Sequence, residues 1–354
     1  MIRYSIKRVL LAILTLFIII VFSYTLIITF GKNPYEVALG HVTDAKTKKI
    51  IEELSNQYKN QPRLLMLAQY LWRILQGNWG HFYLMSSIAN NLDAKTIPQL
   101  FFKPLKWSIM VSLPAFIISA LLGSMLGVLA GYKRGKLIDN IINIFVLIFI
   151  AIPSFIIAPF VINLFRGILP TEFKSPYGAT DGWNDTILSI LPAILVVTLG
   201  SLAVYTLYAR NQVVTVLTSN YILIAKTKGL SNLEIFKKYV FRNISIPLAA
   251  IIIPSYIVLL SGSIIVEKFW GIPGSATIIA EAFPKGEIDV VMFNIIFFTA
   301  LTLVTEIVVD ITYALIDPRI QYEKSSGLNY LEIFKAYLSR KKEAKILLKQ
   351  GGNN

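Results

Sequence analysis

The 354-residue chain has no cysteine and only two histidines, His41 and His81. The first absence excludes disulfides, thiol catalysis and cysteine-ligated metal. The second leaves too few imidazoles for a histidine-built site, and solvated surface side chains are the simpler account of both. Charge is also scarce. Asp, Glu, Lys and Arg make up 15% of the chain, where a soluble domain carries roughly a quarter. No G-x-x-x-x-G-K-[ST] stretch occurs, since Gly135-Lys136 runs into Leu137, so the chain has no P-loop for ATP. No H-E-x-x-H occurs either, which removes a zinc metalloprotease of that type. What is abundant is apolar: 55% of the residues, with mean hydropathy +0.63. Length alone would allow two or three soluble domains of about 150 residues, but this composition calls for burial in lipid.

Six apolar runs stand out, at about Val9–Phe30, Pro104–Ala130, Leu137–Phe165, Thr186–Ala209, Ile244–Val266 and Ile288–Ile316. Each reaches the roughly 20 residues that cross about 30 Å of hydrocarbon as a helix. The first follows Arg3, Lys7 and Arg8. It is longer than a signal-peptide core and has no A-x-A-like site after it, so it reads as a retained transmembrane helix. The expected fold is all-α, an integral membrane protein with six transmembrane helices and both termini cytoplasmic.

Charge orients the spans. Net charge is +14, from 34 basic and 20 acidic residues. In a soluble chain that excess would suggest nucleic acid. Here 20 of the basic residues fall in the N-terminus, the 131–136 loop, the 210–243 loop and the tail after Ile316. Only six acids accompany them: Glu234, Asp317, Glu323, Glu332 and Glu343, with Asp139 at the adjoining edge of the 137–165 run. The proposed inner face thus holds the whole excess, as the positive-inside rule requires. It offers a basic surface to anionic lipid and needs no nucleic acid.

The 31–103 segment is too long for a simple loop. Asp44 to Tyr58 reads as a polar helix, and Leu64 to Leu75 is amphipathic with Tyr70 and Trp72. A small extracytoplasmic subdomain is expected there, closed by the turn-like Gly77-Asn78-Trp79-Gly80. Prolines 114, 153, 159, 192, 247 and 254 lie in or beside spans. They read either as ordinary kinks, with the freed carbonyls satisfied by neighbours, or as broken helices along a path. Gly123, Gly127 and Gly131 form a small-xxx-small ladder that favours close helix packing.

Residues 210–247 are the most informative. Asn220 to Lys228 forms a short helix by pattern, and Gly229 stands where a helix ends in a left-handed residue. Ser231-Asn-Leu-Glu234 is a capping-box pattern. A second helix is expected from Asn232 to about Asn243, with Leu233, Phe236, Tyr239 and Val240 at helical spacing. Such a compact hairpin suits either a lipid surface or a soluble partner.

The stretch Tyr221-Ile-Leu-Ile-Ala-Lys-Thr-Lys-Gly-Leu230, followed by Arg242-Asn243 and Pro247, resembles the cytoplasmic "EAA" motif of ABC importer permeases. It is most similar to the oligopeptide, dipeptide and nickel branch, matching at Tyr221, Ala225, Lys228, Gly229 and Leu230. The first acidic residue is replaced by Leu223, and Thr227 stands where Ala is usual. Further fragments resemble the family in order: the basic start, Gly77–Gly80, Gly131–Gly135 with Asp139, and Ile152-Pro153-Ser154-Phe155. Gly262–Gly274 follows, with Glu267, Phe269, Pro273 and Gly274, and then Asp310 and Asp317-Pro318-Arg319-Ile320. The likeness covers about residues 1–320.

The resemblance implies a permease subunit that forms half of a translocation pathway for peptides. Nickel or another small solute is the alternative cargo. Implied partners are a second permease, two ABC ATPases that use ATP and magnesium, and an extracytoplasmic binding protein. No cofactor or metal is expected on this chain itself, and no catalysis. The implied ATPase-coupling segment comprises Tyr221, Ala225, Lys226, Lys228, Gly229, Leu230, Ser231 and Glu234. Glu267, Phe269, Pro273 and Gly274 read as a turn or an outer gate. Pro153, Glu306, Asp310, Asp317 and Arg319 are structural or pathway candidates. Glu306 and Asp310 share a helix face and would serve as a relay if the chain were instead a secondary transporter. Asp310 is expected to find Arg319 or cytoplasmic water. The parts are 1–30 (tail and first span), 31–103 (outer subdomain), 104–320 (permease domain) and 321–354 (a basic tail, expected to form an amphipathic helix). A multi-pass plasma-membrane location follows.

Overall fold

The computed structural model describes residues 2–178, 182–316, 336–337 and 339–341. Among them all regular structure is helical. Helix α1 (Ile2–Phe30) is followed by four short helices, α2 (Pro34–Leu39), α3 (Ala45–Asn60), α4 (Arg63–Leu75) and α5 (Ser86–Asn91). Then come α6 (Ile97–Tyr132), α7 (Leu137–Ala151), α8 (Ser154–Phe165) and α9 (Trp183–Leu217). After α9 stand α10 (Asn220–Thr227), α11 (Asn232–Ile235) and a π-helical turn, Phe236–Val240. The chain continues as α12 (Phe241–Ser261), α13 (Ile264–Trp270), α14 (Ser275–Ala282) and α15 (Ile288–Ile316). Asp317, Arg319 and nearly all of the expected tail helix lie outside the described residues.

Among the described residues five helical stretches are long and apolar enough to cross a membrane, and a bent pair brings the number to six if it forms one span. That pair is α7 and α8, which meet at 107°. The expected single span over 137–165 is therefore broken, and Pro153 is the cause. It has no amide to continue the α7 ladder, and it forces Ile152 into an extended conformation (ψ 116°). Pro104, Pro114, Pro159, Pro192, Pro247 and Pro254 instead sit inside continuous helices. Of these prolines, only Pro153 coincides with a break in the helix.

The expected fifth span also shifts. The helix set off by Ser231 does not stop near Asn243. It passes through the π turn straight into α12 and ends before Gly262, leaving α13 as a separate short helix.

The longest helix interface joins α6 to α9. Gly123, Gly127 and Gly131 face α9 so closely that side chains cannot fit. A Cβ on Gly127 would come 2.5 Å from the Thr206 carbonyl oxygen, and one on Gly131 2.6 Å from Val213 Cγ1. Ser119 Oγ donates across the seam to the Thr198 carbonyl at 3.1 Å. The small-residue ladder thus sets backbone contact between the two longest helices.

Gly127→Ile should cost about 3 kcal/mol or more by forcing the seam apart. Gly200, on the same helix pair, has open space around its Cα, so Gly200→Ala should be neutral or stabilising by about 0.5 kcal/mol. Thermal unfolding in detergent compares the two.

Candidate functional site

At one end of the bundle α9 runs out at Leu217, and α10 and α11 fold back under it. Ile222 and Ala225 of α10 are buried with Ile235, against Ala209, Val213 and Val216 of α9. Val128 and Tyr132 of α6 pack on the same cluster. Ala225 is in close contact there, so its small side chain is a packing requirement.

The helix ends in a Schellman arrangement. Gly229 N–H donates to the Lys226 carbonyl at 2.9 Å, and Leu230 N–H to the Ala225 carbonyl at 3.3 Å. Gly229 is left-handed, φ +77°. Nothing lies within 4 Å of where its Cβ would be, so the backbone and not a neighbour demands glycine. Leu230 turns back onto the cluster that holds Ala225.

Ser231 then opens α11 with a complete capping box. Its N–H donates to Glu234 Oε2 at 2.9 Å, and Glu234 N–H donates to Ser231 Oγ at 3.4 Å. Tyr221 and Tyr239 stack at 6.3 Å between ring centroids. Leu223, Ile224 and Leu233 are exposed beside Lys226 and Lys228, forming an apolar tip with a basic margin.

An ion pair between a buried carboxylate and a half-buried arginine ties this end together. Arg210 donates from Nε and Nη2 to the two carboxylate oxygens of Asp139, at 2.6 and 2.8 Å. Gly135 N–H and Asn143 Nδ2 complete the carboxylate's shell. No sequence spacing pairs Asp139 with Arg210, which stands 71 residues away. Nearby, Arg8 of α1 pairs with Asp310 of α15 at 3.0 Å. The expected partner, Arg319, lies outside the described residues. Glu306, one turn earlier on α15, is exposed and has no partner among the described residues.

The opposite end is held by buried carboxylates. Glu267 is fully buried on α13. It accepts from Ser263 Oγ at 2.6 Å and from Thr277 N–H at 3.3 Å. Gly274 is packed against this carboxylate, leaving no room for a Cβ. Gly271 ends α13 in the left-handed region, Pro273 stands in the following turn, and Phe269 is exposed. Burial raises the Glu267 pKa, partly offset by the hydrogen bonds it accepts.

Glu287 and Asp289 clamp the 78–85 segment onto the start of α15. Glu287 accepts from the amides of Tyr83 (2.8 Å) and Leu84, while Asp289 binds Arg73 and the His81 amide (3.2 Å). Sequence reasoning missed this clamp. Two acids opening an apolar span, where they favour a helix N-terminus, were its only signal. His81 takes part through its backbone, and no metal-like group of acids and histidines exists among the described residues.

These features define a helical membrane permease, with a capped hairpin projecting from one end of a glycine-seamed bundle. The chain belongs to the family of binding-protein-dependent transport system inner membrane components, whose profile matches residues 123–322. It is an ABC importer permease, a multi-pass protein of the cell membrane. It is 28% identical over 346 residues to the oligopeptide transport system permease protein OppB of Mycoplasma genitalium, spanning 96% of this chain and 82% of that protein. It is 27% identical over 322 residues to the dipeptide transport system permease protein DppB of Lactococcus lactis (91% and 100%). The DppB of Bacillus subtilis is 27% identical over 324 residues (92% and 99%).

Asp139→Ala should cost about 2 kcal/mol, because it removes a buried carboxylate's charge-assisted hydrogen bonds and leaves the half-buried Arg210 without its partner. Thermal unfolding checks this. For Glu267, a raised folded-state pKa means that the folded chain binds the extra proton. Its contribution to stability is therefore present below pH about 4.5 and is lost as pH rises through the folded value. The stability difference between wild type and Glu267→Gln should shift in favour of Gln across that window, read as the difference between two unfolding-versus-pH curves.

Proposed function

We propose that this chain forms half of the translocation pathway of a peptide importer and couples it to partner ATPases through the 219–240 hairpin. The observation that carries the coupling role is the capped α10–α11 unit with its exposed Tyr221, Leu223, Ile224 and Leu233. An apolar tip beyond the membrane-crossing helices needs a protein cover, and Lys226 and Lys228 beside it suit an acidic rim. The hairpin is stiff. Its first helix ends in a closed Schellman cap, and its second runs without a loop into α12. Displacement of the tip would therefore reach the span as a rigid-body motion.

In this reading the hairpin end is cytoplasmic and basic, and the end built on Glu267, Glu287 and Asp289 faces outward. The α13–α14 turn, with Phe269, Pro273 and Gly274, serves as the outer gate segment. A second homologous permease completes the pathway. Two ATPase subunits bind ATP and magnesium, and an extracytoplasmic binding protein delivers cargo. This chain is a transport subunit with no ATP-binding motif of its own. Peptide is favoured as cargo over nickel because the compared relatives are named as oligopeptide and dipeptide permeases. A proton relay through Glu306 and Asp310 is disfavoured, since Asp310 is engaged by Arg8.

Gly229→Ile should strain the cap by about 1–3 kcal/mol, and Ser231→Ala should remove a cap worth about 1 kcal/mol. With partners reconstituted in liposomes, both should weaken ATPase association and ATP-driven peptide uptake, Gly229→Ile the more. Unchanged association and uptake in both variants would refute the coupling role.

A further inference from the structure

Helix α4 carries an apolar face that the chain itself leaves uncovered. Met66 and Tyr70 turn inward onto Tyr24 and Ile28 of α1. Leu64, Trp72 and Leu75 turn outward and are 81%, 65% and 80% exposed. Leu65 and Ala68 lie with them on that side. The helix has no acidic residue and carries an arginine near each end, Arg63 and Arg73. Its neighbour α3 is the opposite, exposing Lys48, Lys49, Glu52 and Glu53 to solvent.

Depth decides what covers this face. The Arg8–Asp310 pair marks one boundary of the apolar part of α1. From Arg8, about 30 Å of helix, the thickness of the hydrocarbon core, ends near Ile28. Tyr24 then lies about 6 Å inside the far boundary. The Tyr70 ring stacks on Tyr24 with centroids 4.1 Å apart, so the middle of α4 sits at that level. Amphipathic helices that lie on membranes bury their apolar face about 5–10 Å into this zone. At the same height α1 exposes apolar side chains of its own, Phe22, Leu26 and Phe30. At the upper edge Arg73 is fastened to Asp289 of α15.

We propose that α4 is an interfacial helix whose Leu64, Leu65, Trp72 and Leu75 are covered by lipid at the outer headgroup–acyl boundary. Trp72 sits where indole rings favour a membrane interface. The helix fixes the height and tilt of the 31–103 segment against the bilayer, while α3 stays in water. This goes beyond the transport role and does not depend on the cargo.

The absence of cysteine gives a direct test. Trp72→Cys, Leu75→Cys and Ala68→Cys in the full chain each create a single labelling site. With Lys49→Cys and Glu52→Cys as water-facing references, all five take a nitroxide in phosphatidylglycerol–phosphatidylcholine nanodiscs. Labels at 68, 72 and 75 should collide several-fold more with molecular oxygen, which partitions into lipid, than with a water-soluble nickel chelate. Labels at 49 and 52 should show the reverse. Nickel accessibility at 68, 72 and 75 equal to that at 49 and 52 would overturn the proposal. So would protection from both reagents once the cysteine-free partner subunits and binding protein are assembled, which would mean a protein cover. Because three sites are read, loss of folding in the tryptophan variant alone leaves the test intact.

Discussion

The backbone contact between α6 and α9 is the constraint on which the remaining architecture rests. Three glycines one turn apart remove the side chains that would otherwise separate the helices. In lipid there is no hydrophobic gain from bringing two apolar helices together, so close packing and interhelical hydrogen bonds must supply the attraction. The seam does so with glycine contacts and the Ser119–Thr198 bond. It also fixes register. Gly127 and Gly131 lie directly against the Arg210 backbone, which delivers the Arg210 guanidinium to Asp139 on α7. One packing choice therefore positions three of the long helical elements at the basic end.

The same seam forms the seat of the hairpin. Val128 and Tyr132 at the end of α6, with Val213 and Val216 on α9, make the surface on which Ile222, Ala225 and Ile235 close. The motif residues then have separate physical duties. Ala225 keeps α10 close, Gly229 supplies the left-handed turn, Leu230 returns the chain to the core, and Ser231 with Glu234 starts the next helix. In the proposed coupling role these residues transmit force because they close the hairpin. The exposed Tyr221, Leu223 and Ile224 are left for contact.

Much of this was legible in the sequence, because spans and caps are local. Apolar length gave the membrane helices, and Gly229, Ser231 and Glu234 gave the hairpin caps where the structure has them. What failed was non-local or geometric. Seven prolines in or near apolar runs look alike on paper, yet only Pro153 breaks its helix. It follows an extended Ile152 and opens a new helix, while the others sit inside helices that run on through them. The π turn at 236–240 fuses two elements that periodicity had separated, since a one-residue insertion in a helix leaves no compositional mark. Arg8 meets Asp310, and Arg73 meets Asp289, across most of the chain. No spacing rule reaches that far.

The two ends of the bundle solve one problem in different ways. Backbone that leaves a helix near lipid must still have its amides satisfied. At the hairpin end the solution is exposed: glycine and serine caps that close the turn at the surface, beside side chains left free for contact. At the other end irregular backbone is packed inside, and the acceptors are carboxylates. Glu267 takes up the α14 start, Glu287 the 83–84 amides, and Asp289 the His81 amide with Arg73. A carboxylate offers about four acceptor sites and no donor, twice the acceptor capacity of a side-chain amide of similar size. Its burial is costly unless those bonds form together, so each acid locks its segment in a single arrangement. That makes the carboxylate end the rigid frame and the hairpin end the part open to a partner, which is the asymmetry that force entering at the hairpin would require.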